Sequence, residues 1–364
     1  MVIIDEFPYL IETDDSVVSQ FQRIYDEILE GTKVKLVIAG STITMMLSQV
    51  LQYQSPLYGR RSIQINLQQR SFSSVRCFFP NYSLKDQIIA YSMLGGIPAY
   101  LHKFDPSKDV LTNMEEQFLD NTSFLFAEGE FLLKEEFREI HLYQKILFGL
   151  SKTSKLGEVA NFAHKKSTDI NKYVERLLEV RLVKVEQPLY GKKKKTHYLY
   201  ADNYLAFWYT FIYPQRDFIN YYQKNIVLEN VKKNLHGYVG KIFEQVCHEF
   251  LLELLRKGAL PFMVTEIGRH WGTYRKGQTS VEVEVDIIAV NKMEKKVLFV
   301  ECKFQEDITP STVKKLKEKA MLLPFQEYDH HYGFVGAGSR VTDEERSIVW
   351  TYKDLEQAFD LVDG

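Results

Sequence analysis

The chain alternates between short apolar runs and longer stretches whose apolar residues recur every three or four positions. Val2-Ile3-Ile4 is a β-branched run closed by Asp5-Glu6, which predicts a buried parallel strand with two carboxylates at its carboxyl end. Val17, Val18, Phe21, Ile24, Tyr25 and Ile28 share one helical face, predicting a helix over 17–29. Residues 34–39 (VKLVIA) predict a second strand, closed by Gly40-Ser41-Thr42, and a helix follows at about 44–51. Strand, helix and strand at this spacing make a βαβ unit. A third strand is predicted at 62–67, and 84–137 reads as mainly helical with a break at Gly95-Gly96-Ile97-Pro98.

The pattern then changes. A short helix over 156–163 precedes one that Thr168 is placed to cap, with Ile170, Tyr173, Val174, Leu177 and Leu178 on its apolar face. Strands at 182–185 and 197–200 flank Gly191, Lys192, Lys193, Lys194 and Lys195. Helix, helix and basic hairpin is the outline of a winged helix-turn-helix. Residues 203–222 are crowded with aromatic side chains, expected to pack between domains rather than to stack on bases. Beyond them an amphipathic helix is predicted at 238–255, strands at 281–290 and 296–304, a helix at 311–323 and a strand at 332–335.

Composition narrows the class. The 364 residues suffice for two or three domains, and 45% hydrophobic with 26% charged residues is ordinary for a soluble globular protein, not a disordered, collagen-like or disulfide-stapled one. The net charge of −2 argues against a nucleic-acid partner until it is resolved along the chain. Residues 151–200 carry 12 Lys and Arg against 5 Asp and Glu, a local excess that makes DNA an expected partner. Three distant cysteines, Cys77, Cys247 and Cys302, without C-x-x-C spacing, fit a reducing compartment and no structural zinc. The uncharged stretch 36–59 is too broken by polar residues to span a bilayer, so a cytoplasmic protein with no membrane partner is expected.

A strand ending in Asp-Glu is the Walker B arrangement of P-loop ATPases. There an aspartate stands near the Mg²⁺ shell and the neighbouring glutamate polarises the attacking water. Asp5 takes the first role in this expectation and Glu6 the second, with Ser41 or Thr42 as the sensor of the γ-phosphate. Arg60 and Arg61 follow a turn and are either phosphate-sensing arginines or a solvated pair. The segments IIDEFPYL, LVIAGSTITMM, SPLYGRRSIQINL and LGGIPAYL, followed by FEQVCHEFL, IGRHWG and FVECKF, resemble the archaeal-type ATPase family of AAA+-like proteins. The resemblance covers nearly the whole chain. It implies an α/β fold class: a partial P-loop ATPase three-layer sheet over 1–80, a helical lid over 81–136, a winged helix over 137–212 and a restriction-endonuclease-like α/β domain over 213–364. It also implies ATP and Mg²⁺ as cofactors. The sequence departs from the family in one respect, because it contains no G-x-x-x-x-G-K-[ST]. That motif supplies the amides and lysine that cradle phosphates. A truncated copy or a degenerate one is therefore expected, binding ATP poorly or not at all.

The second constellation is Glu244, Asp286, Glu301 and Lys303. Glu301-Cys302-Lys303 has the E-x-K form, and strand alternation puts Glu301 and Lys303 on one face. The same alternation puts Glu282, Glu284 and Asp286 on one face of the preceding strand, and a hairpin across 291–295 lets the carboxylates converge. The pattern resembles PD-(D/E)xK nucleases. That resemblance implies Asp286 and Glu301 as catalytic Mg²⁺ ligands, Glu244 as an outer ligand and Lys303 as the group that orients or deprotonates water. The plainer alternative for Glu301 and Lys303 is an exposed ion pair. Arg269 is a candidate phosphate contact, His270 and Trp271 are expected to pack at a strand edge, and His330 and His331 to be solvated loop residues. The expected function is a truncated or degenerate ATPase carrying a Mg²⁺-dependent DNA nuclease domain. A non-catalytic DNA-binding or regulatory protein using Lys192, Lys193, Lys194 and Lys195 is the alternative, and homo-oligomerisation stays open.

Overall fold

The computed structural model describes residues 1–41, 43–190, 195–339 and 346–360. At the amino terminus, β1 (Val2–Ile4) pairs in parallel with β2 (Leu36–Ile38), Ile3 opposite Val37. The intervening chain forms helices Phe7–Thr13 and Val17–Ile24, the latter continued by a wider turn over Tyr25–Leu29. Phe7, Ile11, Val18 and Val50 form the small core beneath them. This is the predicted βαβ unit, but its strands are not the buried ones expected: Val2, Ile3 and Val37 are 48%, 58% and 42% exposed on a sheet of two strands. The strand predicted at 62–67 is absent: the segment is unpaired, and Ile63, Ile65 and Leu67 are 79%, 79% and 90% exposed. Its alternating pattern suits a strand, but a strand forms only against a hydrogen-bonded neighbour, and among the described residues none pairs with it.

Helices Leu84–Leu94, Pro98–Leu101, Val110–Phe118 and Phe124–Glu136 fill the next stretch, with Ser83, Asp109 and Ser123 accepting from amides at three of the helix starts. Gly95 ends the first at φ 64, a backbone that side chains resist. Three further helices follow, Ile140–Leu150, Leu156–Phe162 and Ser167–Glu179. Thr168 does not cap the last of them. That helix begins at Ser167, and the Thr168 hydroxyl donates to Asp169 instead. An antiparallel hairpin, β3 (Val183–Glu186) with β4 (His197–Tyr200), completes the unit.

Tyr204, Phe207, Trp208, Tyr209 and Phe211 are buried, as expected of the aromatic segment, whereas Phe218, Tyr221 and Tyr222 at its end are exposed. They belong to one apolar core that runs from Phe72 to Phe359, so the helical, hairpin and carboxy-terminal parts pack as a single body. The helix Lys224–Arg256 starts well before the predicted 238, because Val227, Val231 and Leu235 extend its buried stripe backward.

The carboxy-terminal sheet contains β5 (Glu266–Lys276), β6 (Thr279–Asn291) and β7 (Lys296–Cys302) as an antiparallel meander. A short β8 (Asp307–Ile308) precedes helix Pro310–Ala320, which returns the chain to β9 (Asp329–Gly336). A second short strand, β10 (Gly338–Ser339), pairs with β8, and β11 (Ser347–Thr351) closes the sheet before helix Tyr352–Asp360. The order is β11-β9-β7-β6-β5, with β7, β9 and β11 parallel. One face carries the long helix and the other the Pro310–Ala320 helix, giving three layers of mixed α/β structure. His330 and His331 lie within β9, not in a loop: the apolar run 332–335 is extended upstream by pairing with β7. Among the described residues no helix is long and apolar enough to cross a membrane.

Candidate functional site

The hairpin across 291–295 forms as expected, with Asn291 opposite Lys296 and Ile287 opposite Val300. Asp286 therefore stands level with Glu301. The neighbouring pairing of β5 with β6 slips here: Gly268 faces Ile288 and His270 faces Val285. Two residues of β6, Asp286 and Ile287, oppose Arg269 alone, which is a β-bulge. Val285 and Ile288 consequently face the same core, and the simple alternation read along 282–290 breaks at Asp286. The bulge re-aims the carboxylate, whose Oδ2 accepts from the Cys302 amide at 2.8 Å. Burial, reinforced by the Glu301 charge, pushes Asp286 up to about 6.

Glu301 is 8% exposed and held from two sides. Lys303 Nζ donates to Oε1 at 2.9 Å, and Lys319 Nζ, from the last turn of helix Pro310–Ala320, donates to Oε2 at 2.9 Å. Burial would raise the Glu301 carboxyl, but the two ammonium groups, Lys319 foremost, hold it below its ordinary value. Lys303 is raised, burial being outweighed by its bond to Glu301. Cys302 points the other way, against Cys247 of the long helix, and burial keeps its thiol well above the ordinary range.

Glu244 projects from the long helix. Burial first, and the Asp286 charge second, push its carboxyl up to about 8. Its Oε2 lies 2.8 Å from Arg269 Nη2, off the N–H direction, so that the oxygen is buried without a directional hydrogen bond. Arg269 also pairs with Glu186 of β3 at 3.1 Å and Glu284 of β6 at 2.9 Å. The residue expected to reach a phosphate is instead turned onto three carboxylates. Among the described residues, no three His, Cys, Asp or Glu side chains are gathered closely enough to hold a metal ion. Glu244, Asp286 and Glu301 are thus not preassembled as a three-ligand set. The pair Asp286 and Glu301 remains, and Mg²⁺ commonly takes only one or two protein carboxylates, completing its shell with water and phosphate.

The basic hairpin lies along the edge strand β5. Leu189 N donates to the Arg269 carbonyl at 2.9 Å and the Trp271 indole to the Lys195 carbonyl at 2.8 Å. The His197 ring stacks on Trp271 at 4.2 Å, so Trp271 is the strand-edge packing residue expected. His270 is likewise buried, and its Nε2 meets Tyr274 Oη at 2.6 Å. Lys195 Nζ donates to Thr273 Oγ1 at 2.5 Å, while Lys192, Lys193 and Lys194 lie outside the described residues.

At the amino-terminal end, Glu6 takes a left-handed backbone at φ 50, and its Oε2 accepts from Ser41 Oγ at 3.0 Å and Ser41 N at 3.3 Å. The two strand tips are thereby joined, while Asp5 Oδ1 accepts from the Glu6 amide at 2.9 Å. Thr42 lies outside the described residues. Arg60 is clamped by Asp26 at 2.6 and 2.7 Å, and Arg61 bonds Gln64 at 2.7 Å, so the arginine pair is engaged locally.

Residues 1–104 match a family described as an ATPase domain predominantly from Archaea, and 208–320 match DUF234, archaeal and bacterial proteins of unknown function. An uncharacterized protein of Methanocaldococcus jannaschii, MJECL04, is 37% identical over 344 residues, which are 92% of this chain and 75% of that protein. The chain belongs to this archaeal ATPase family. A second uncharacterized M. jannaschii protein, MJ0424, is 48% identical over 42 residues, 12% of this chain and 41% of its own. The crystal structure of protein VC1899 from Vibrio cholerae aligns with 65% of this chain and 54% of its own at 12% identity and a TM-score of 0.26. The ATPase match contains Asp5, Glu6, Ser41, Arg60 and Arg61, and the DUF234 match contains Glu244, Asp286, Glu301, Lys303 and Lys319. The basic segment 151–200 lies between the two matches.

Lys319 and the Arg269 cluster escaped sequence reasoning. Lys319 is one of four lysines in its helix, and no spacing singles it out. Arg269 stands in a strand whose length was not foreseen, since IGRHWG has too few apolar residues to announce an eleven-residue strand.

Proposed function

We propose that this member of the archaeal ATPase family hydrolyses phosphodiester bonds of DNA through its carboxy-terminal domain, a restriction-endonuclease-like fold of the PD-(D/E)xK kind. The observation that carries the proposal is the meeting of the buried Asp286 and Glu301 at the bulge of β6, with Lys303 on Glu301. Two buried carboxylates beside ammonium groups are a poor way to stabilise a fold. They suit a site that receives a divalent cation and an anion together.

When bound at Asp286 and Glu301, Mg²⁺ would lower the pKa of water and neutralise charge on the phosphate. Asp286 is oriented for this by the Cys302 amide, while Glu244, paired with Arg269, would have to turn from it to serve as an outer ligand. Lys303 would position the attacking water. The water oxygen bonds to phosphorus, the phosphorus–oxygen bond to the sugar breaks, and the departing oxygen takes up the proton released.

Residues 137–212 fit a winged helix, with the basic hairpin bringing duplex DNA toward the sheet it covers. Asp5, Glu6 and Ser41 fit the Walker B and sensor positions of an ATPase core. A second reading, a non-catalytic DNA-binding protein, is favoured by the engagement of Glu244 with Arg269. The test is cleavage of plasmid and linear DNA with Mg²⁺ or Mn²⁺. Cleavage should occur and be lost in Asp286→Ala and Lys303→Ala. DNA left intact under both metals would leave the second reading in place.

A further inference from the structure

Glu301 has a partner on each oxygen, and only one of them belongs to the E-x-K strand. Lys319 reaches the same carboxylate from a different element, the helix packed on β6 and β7. Val313, Leu316 and Ala320 bury one side of that helix, which fixes the position of its last turn. The side chains of Lys303 and Lys319 are 34% and 33% exposed, against 11% for Glu301. Both ammonium groups therefore stand between the buried carboxylate and solvent, where an approaching anion meets them first. Each has three donors, and the bond to Glu301 occupies one. The two ammonium groups offset the charges of Glu301 and the neighbouring Asp286, so a cation held by those carboxylates would leave a net positive charge at the mouth of the site.

We propose that Lys319 is a second catalytic lysine, whose ammonium binds a non-bridging oxygen of the scissile phosphate while Lys303 attends to the water. This rests on the nuclease reading above and assigns the phosphate contact within it. A cation held by Asp286 and Glu301 would compete with Lys319 for the Glu301 charge, and the phosphate would then offer an acceptor to the remaining donors of Lys319.

The test compares wild type, Lys319→Gln and Lys319→Arg in two measurements: the DNA cleavage rate, and Mn²⁺ affinity without DNA by calorimetry or electron paramagnetic resonance. Loss of one charge-assisted contact in the transition state should slow Lys319→Gln roughly 10- to 100-fold, with partial rescue in Lys319→Arg. Mn²⁺ affinity should be unchanged or higher in Lys319→Gln, because a competing cation has left Glu301. Cleavage at the wild-type rate in Lys319→Gln overturns the proposal and leaves the nuclease reading intact. So does a fall in Mn²⁺ affinity matching the fall in rate, which would mean that Lys319 only holds Glu301 in place. If wild type neither cuts DNA nor loses Mn²⁺ binding in Asp286→Ala, the nuclease reading falls, and the assignment of Lys319 falls with it.

Discussion

Asp202 sits where the helix Leu84–Leu94, the aromatic segment and the long helix meet, and it is 4% exposed. Its carboxylate accepts from the Tyr204 amide at 2.8 Å, capping helix Asn203–Phe207. Gly95 approaches it so closely that a side chain there would collide with the Asp202 carboxylate. Burial, only partly offset by that amide, pushes Asp202 from 3.8 up to about 7. A raised acid pKa means that the folded state keeps the proton that the unfolded state releases. The stabilising contribution is complete below about pH 4 and is lost as pH rises through about 7. At about 1.4 kcal/mol per unit, the whole swing is on the order of 4 kcal/mol. In Asp202→Asn the cap is retained, since asparagine caps as well as aspartate, and the titration disappears. Urea unfolding of both proteins from pH 4.5 to 8.5 measures the difference directly, because all other titrating groups cancel. The two should agree within about 1 kcal/mol at pH 4.5, and the Asp202→Asn variant should be the more stable by several kcal/mol at pH 8.5. Parallel stability curves would refute the claim that Asp202 is buried as an acid.

Arg269→Ala should destabilise the fold by about 2–4 kcal/mol in urea, since it strips the buried Glu244 of its cation and also loses pairs to Glu186 and Glu284. The loss should shrink in a Glu244→Gln background, and an unchanged loss would mean that the two do not interact. DNA affinity should fall steeply with salt, and replacing Lys192, Lys193, Lys194 and Lys195 by Ala should lower the log–log slope by about 0.9 per lost phosphate contact. An unchanged slope would put the DNA elsewhere.

The amino-terminal βαβ unit was legible because it rests on local pattern: β-branched runs for the strands and a 3.6-residue period between them. The failure at 62–67 comes from the opposite condition. Ile63, Ile65 and Leu67 alternate as a strand should, yet pairing is a property of neighbours, which sequence periodicity does not contain. The long helix was underestimated for a related reason: Lys232, Lys233 and Asn234 face solvent and mask the buried Val227, Val231 and Leu235 of the same turns.

The site divides along the same line. Lys303 directly follows β7 and continues its pairing through Val335, so period two suffices to bring it to Glu301, and they meet at 2.9 Å. Asp286 needed more. Its aim depends on a bulge that is visible only when β5 is laid against β6, because the extra residue is defined by what opposes it. Arg269 is that opposing residue, and it carries the charge that satisfies Glu244. A residue expected to contact phosphate thus bears on both the backbone register and the electrostatics of the site. The hairpin makes the connection longer, since Glu186 of β3 shares Arg269 with Glu244 of the long helix. One guanidinium joins the basic segment to the carboxylate cluster, across regions far apart in the chain. Covalent neighbours set the parts of this site that could be read in advance. The parts that could not are those set by a partner strand, a helix or a hairpin folding onto it from elsewhere.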